Sequence, residues 1–140
     1  MTLSELRDYT RLKSDEIFYE VEIQRLKKLK AQEVTYYTSP PLDATPGSGN
    51  RSGSATENLA LFNVEYAERI NTQIKKYTAA LFTVREQLKA IDDFIASVED
   101  RETRSMLLRH IKQRVSFNQI AKEHFVSRNY VANRIKGACK

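Results

Sequence analysis

Apolar residues recur with helical period along most of the chain. In residues 3–34, Leu3, Leu6, Tyr9, Leu12, Tyr19, Ile23 and Leu26 fall at three- and four-residue spacings with one gap, which predicts a helix with Thr2 or Ser4 as its cap. The strongest pattern comes later. Ile70, Ile74, Tyr77, Leu81, Val84, Leu88, Ile91, Ile95 and Val98 alternate spacings of four and three, so they are a and d positions of heptads, with Ile74, Leu81, Leu88 and Ile95 at a. A 3.5-residue repeat sustained this long predicts a left-handed supercoil against a partner helix, and these nine residues are the expected oligomerisation seam. The helix carrying them, residues 57–99, would be roughly 60 Å long at 1.5 Å per residue. Phe62, Tyr66, Phe82 and Phe94 lie off the seam and widen the apolar face, which suits a bundle of more than two helices. The N-terminal helix folded back antiparallel, with a second chain completing the bundle, would supply the partners. A hairpin within one chain is the alternative.

Between these helices, residues 38–56 hold all three prolines and three of the four glycines. Such a segment reads as a flexible linker, spanning roughly 24 Å as a random coil. After Asp100 the periodicity changes register and three short helices follow. The first covers about 101–113, with Met106, Leu107 and Ile111 apolar. Ser116 can cap a second whose inner face is Phe117, Ile120 and Ala121, and Ser127 can cap a third with Val131 and Ile135 inward. Small Ala121 permits a steep helix crossing, and Val126 can plug the angle between the last two helices. The expected architecture is all-α: a long helical hairpin or coiled coil followed by a three-helix, helix-turn-helix unit. Its segments are 1–37, 38–56, 57–99 and 100–140.

Composition changes this picture in four ways. With 41% hydrophobic residues the chain can build one helical core but is thin for two, and four glycines with no tryptophan favour helix over sheet. Cys139 has no partner cysteine, which fits a reducing, cytoplasmic setting. No apolar run approaches the ~18 residues of a membrane span, so no membrane association is expected. The charge of +5 is uneven: residues 101–140 carry ten Lys/Arg against two acids, whereas residues 1–100 carry thirteen against sixteen. A polyanion would be drawn to one end only.

The third short helix, residues 128–136, is the candidate reading element. A helix in the major groove shows its non-core side chains to base edges, here Arg128, Asn129, Tyr130, Ala132 and Asn133. Arg pairs bidentately with guanine and Asn with adenine, and Ala132 allows close approach to a thymine methyl. Arg104, Arg109, Lys112, Arg114, Asn118, Gln119, Lys122, Arg134 and Lys136 are the candidate phosphate contacts. His110 and His124 lack any cysteine or carboxylate at zinc-ligand spacing, and Asp92-Asp93 and Glu99-Asp100 read as solvated acids. No Gly-rich phosphate loop or nucleophile elbow is present, so neither enzyme activity, a metal nor a cofactor is expected.

Residues 101–137, with Ser116-Phe-Asn-Gln-Ile-Ala, Val126-Ser127, Val131 and Ile135, resemble the region-4 helix-turn-helix of bacterial sigma factors. The layout of helix, linker, coil and C-terminal motif is similar to small phage and prophage regulators of the ArpU and RinA type. Where the sigma-type turn has Leu-Gly, this chain has His124-Phe125, losing glycine's free access to positive φ. The resemblance implies a DNA-binding regulator of phage or prophage transcription, acting on double-stranded DNA as a dimer or tetramer. Two alternatives stand beside it: a small-terminase-like packaging protein, and an adaptor that binds RNA polymerase.

Overall fold

A computed structural model describes residues 1–38 and 52–139, with side chains described for 1–32 and 64–139. The described residues form six helices and no strand, so the chain is all-α. They are α1 (Leu3–Arg7), α2 (Tyr9–Thr38), α3 (Ser52–Ser97), α4 (Arg101–Ile111), α5 (Phe117–His124) and α6 (Arg128–Ala138). Among the described residues no helix is long and apolar enough to cross a membrane. Most of the expected linker, residues 39–51, lies outside the described residues. So do the side chain of Phe62 and the whole of Lys140.

Two boundaries differ from expectation. The N-terminal helix is two helices, because Asp8 ends α1 with its N–H on the Glu5 and Leu6 carbonyls and then heads α2 by accepting from Leu12 N–H. At the other side of the linker α3 starts at Ser52, inside the Gly/Ser-rich stretch and five residues before the expected start at 57. Once a helix is nucleated, each further turn costs little, so elongation can run past weak helix formers.

The chain divides into two compact units. One unit joins residues 1–17 to 82–140. Thr2 and Glu5 cap α1 reciprocally: the Glu5 N–H donates to Thr2 Oγ1 at 3.2 Å, and the Thr2 N–H donates to Glu5 Oε2 at 2.7 Å. The Thr2 N–H, and after it the Thr2 hydroxyl, donate to the Glu5 carboxylate, favour its ionised form and hold its pKa below the ordinary value. Leu6, Leu12, Val84, Leu88, Ile91 and Ile95 are buried in this unit, and Arg85 pairs with Glu16 at 3.5 Å. The second unit, residues 18–81, buries Ile23, Leu26, Ile70 and Leu81. There Tyr19 and Tyr77 lie 5.8 Å apart by ring centroid, and Lys30 Nζ donates to Asn71 Oδ1 at 2.8 Å.

The heptad seam is thus covered from within. Ile70, Leu81, Val84, Leu88, Ile91 and Ile95 are buried in a single chain, while Ile74, Tyr77 and Val98 are half-buried. Six of the nine expected oligomerisation residues are thus covered by side chains of their own chain, and Ile74, Tyr77 and Val98 keep part of their surface open. Off the seam, Phe82 is 66% exposed and Phe94 half-buried.

Helices α4–α6 share a small core, in which Met106, Leu107, Ile120, Val131 and Ile135 are fully buried. Each helix begins with a side-chain cap. Asp100 accepts from the Thr103 N–H at 3.3 Å, Ser116 from Gln119 at 3.2 Å and Ser127 from Tyr130 at 3.1 Å. Ala121 is 6% exposed, small enough for the close packing its position demands. The turn after α5 keeps a glycine-type geometry without glycine. Phe125 adopts φ 57°, ψ 40°, its N–H reaches the Lys122 carbonyl, and the Val126 N–H reaches Ala121 at 3.0 Å. This is the paired closure of a Schellman motif.

The left-handed conformation costs a non-glycine residue about 1–2 kcal/mol. Phe125 is 95% exposed, so its ring has little contact to lose. Phe125→Gly removes the strain but adds backbone entropy to the unfolded chain, about 0.5–1 kcal/mol. A net gain of about 0.5–1 kcal/mol is expected, seen as a melting temperature raised by a few degrees. A lowered melting temperature would mean that the ring contributes packing.

Candidate nucleic-acid interface

Helix α6 is fixed on two sides. Val131 and Ile135 enter the core, and Tyr130 and Arg134 turn to α4. The Tyr130 hydroxyl donates to Glu102 Oε2 at 3.2 Å and accepts from Arg134 Nη2 at 3.0 Å, while Arg134 Nη1 reaches Asp100 Oδ2 at 3.1 Å. The Arg134 guanidinium also lies 5.2 Å from the centre of the Tyr130 ring. Thr103's hydroxyl, donating to Asp100 at 2.5 Å, is the chief reason that the Asp100 carboxyl sits below its ordinary pKa, with Arg134 adding to it. Tyr130 and Arg134, expected as a base reader and a phosphate contact, thus both engage the start of α4, Arg134 through a pair that remains about half exposed.

What α6 leaves in solvent is Arg128 at its first turn and a stripe of Asn129, Asn133 and Lys136, spaced four and three residues apart. Ala132 is half-buried beside them. Three of the five expected base readers are thus exposed together near the start of one capped helix.

The expected phosphate contacts sort differently. Arg109 grips Glu123 with two guanidinium nitrogens, one at 3.1 Å, and also bonds Gln113, joining α4 to α5. That grip, with a smaller contribution from Gln119, lowers the Glu123 pKa. Lys112 Nζ pairs with Asp92 at 2.7 Å and lies 5.5 Å from the centre of the Tyr9 ring, and the Asp92 bond raises the Lys112 pKa. Arg109, Lys112 and Gln119 are thereby committed to contacts within the chain. The sequence sorted them by charge and position and could not see carboxylates far along the chain. Arg104 is half-buried and Arg114, Asn118, Lys122 and Lys136 are exposed, and none of the four cations pairs with a carboxylate among the described residues.

Two residues escaped the sequence reading. His110 Nδ1 lies 2.9 Å from the Val115 carbonyl, and its Nε2 accepts from Arg7 Nε at 3.3 Å. The His110 and Phe117 rings lie 4.4 Å apart by centroid, and the Arg7 guanidinium sits 6.0 Å from the Phe117 ring centre. Arg7 and His110 are 103 residues apart, so no local pattern joins them. Compared with protein family models, curated proteins and solved structures, the chain matches none.

Proposed function

We propose that the chain is a sequence-specific DNA-binding transcription regulator, and that α6 reads the major groove. The observation that carries this is the exposure of Arg128, Asn129 and Asn133 together on a capped helix whose remaining faces are held by α4 and α5. Arg and Asn are the side chains that pair bidentately with guanine and adenine. Around them Arg104, Arg114, Lys122 and Lys136 supply uncommitted positive charge for the phosphates. The similarity of the whole layout, helix, linker, coil and C-terminal motif, to ArpU- and RinA-type regulators favours phage or prophage genes as the target. The reading includes assembly as a dimer or tetramer in a cytoplasmic setting. With Ile74, Tyr77 and Val98 of the seam half-buried, exposed apolar side chains such as Phe18, Val21 and Val64 would add to the surface for that assembly.

Salt titration of duplex binding tests the electrostatic half of this proposal. Each neutralised phosphate contributes about −0.9 to the slope of log K against log salt. Four free cations predict a slope of about −3 to −4. A slope near zero would remove the proposal, and a much steeper one would mean that Arg109, Lys112 and Arg134 abandon their carboxylates on DNA.

A further inference from the structure

One cation-lined hollow remains without a role. Within the unit that joins residues 1–17 to 82–140, Arg7, Thr10, His110, Arg114 and Ser116 line an open cleft of about 290 Å³. Among the described residues no carboxylate lines it, and neither Arg7 nor Arg114 forms an ion pair. A cleft lined by two arginines and no carboxylate suits an anion.

The lining is organised. A carbonyl can only accept, so the 2.9 Å contact with Val115 places the ring proton on His110 Nδ1. Nε2 is then left as an acceptor, and it takes the Arg7 Nε–H. The Phe117 ring lies under the same guanidinium. With Nε engaged, Arg7 keeps both terminal nitrogens for a ligand, in the planar fork that matches two phosphate oxygens. Arg114 holds a positive φ of 56° just after α4, where the Val115 N–H closes on the Arg109 carbonyl at 3.1 Å, and this fixes the backbone from which its side chain leaves. Arg114 and Ser116 are exposed at the rim, which allows access to a phosphate carried on a polymer rather than only to a small free ion.

We propose that this cleft holds a phosphodiester of the DNA backbone, with Arg7 and Arg114 as its ligands and His110 positioning Arg7. The inference rests on the DNA-binding reading above, and it extends the interface from the C-terminal helices to α1. A single clamp at that point would add a fixed, sequence-independent contact and set the orientation of the reading helix on the duplex.

The test uses the full chain, a mixed-sequence duplex and a salt series, with wild type, Arg7→Gln and Arg114→Gln. Each variant is expected to bind about fivefold to tenfold more weakly whatever the sequence, and to lower the salt slope by about one. Thermal melting should be unchanged, which separates lost contact from lost fold. Arg114, being exposed, keeps the test valid even if Arg7→Gln unfolds the N-terminal turn. A parallel arm adds inorganic phosphate at constant ionic strength and follows the melting temperature. If wild type binds duplex and both variants bind equally well, the proposal is overturned. A melting temperature raised by phosphate would then identify a free phosphate as the ligand. If wild type holds no duplex at all, this proposal and the DNA-binding reading fall together.

Discussion

Replacing Arg128, Asn129 and Asn133 together by Ala is expected to erase sequence preference and leave weak, salt-sensitive binding to any duplex. The three side chains are exposed on α6 and contribute nothing to its core, which consists of Val131 and Ile135. The Ser127 cap and the Tyr130–Glu102 and Arg134–Asp100 contacts are untouched, so the helix should remain folded and placed. A bidentate pair contributes about 1–3 kcal/mol of discrimination. Losing two or three such pairs amounts to roughly 3–6 kcal/mol, or a preference reduced by about 10²- to 10⁴-fold. The phosphate-directed cations Arg104, Arg114, Lys122 and Lys136 all remain, so the salt slope should stay close to that of wild type. Competition between a preferred duplex and random duplex checks both parts. An adaptor that reaches RNA polymerase through its coil would be indifferent to this change.

Ile120→Ala is expected to give the largest loss of stability among single apolar substitutions in α5. Ile120 is fully buried, as are Met106, Leu107, Val131 and Ile135 of the small α4–α6 core. Trimming such a residue costs about 2–5 kcal/mol, from lost burial and the cavity left behind. That is a large share of the 5–15 kcal/mol typical of a whole domain. For a chain of this size it should lower the melting temperature by about 10 °C, and DNA binding should fail as the reading unit melts. Phe82→Ala serves as the control: Phe82 is 66% exposed, and its loss should change stability by less than about 0.5 kcal/mol. Equal melting of the two variants would contradict the assigned core.

The parts of this fold that were legible in the sequence are those with local causes. Ser116 and Ser127 announced α5 and α6 because a capping hydroxyl acts on an N–H three residues away. Val131 and Ile135 announced the buried face of α6 by their spacing, and the heptads announced a seam. What stayed hidden depends on distant partners. Charge alone marks Arg109, Lys112 and Arg134, and no local pattern reveals that Glu123, Asp92 and Asp100 meet them in space. Nor does spacing reveal that the Tyr130 hydroxyl finds Glu102 on α4. The same holds for Arg7 and His110, whose contact no periodicity encodes. At Phe125 local propensity was overruled outright: the closing bonds of α5 hold a left-handed residue where glycine would be expected.

The central claim is that α6 reads DNA sequence. Its most direct test is to sequence the duplex fragments retained by the purified chain from a random pool, with the Arg128, Asn129 and Asn133 triple Ala variant alongside. Enrichment of one motif by wild type, and of none by the variant, is the predicted result. Retention without any enriched motif by wild type, or the same motif retained by both proteins, would contradict it.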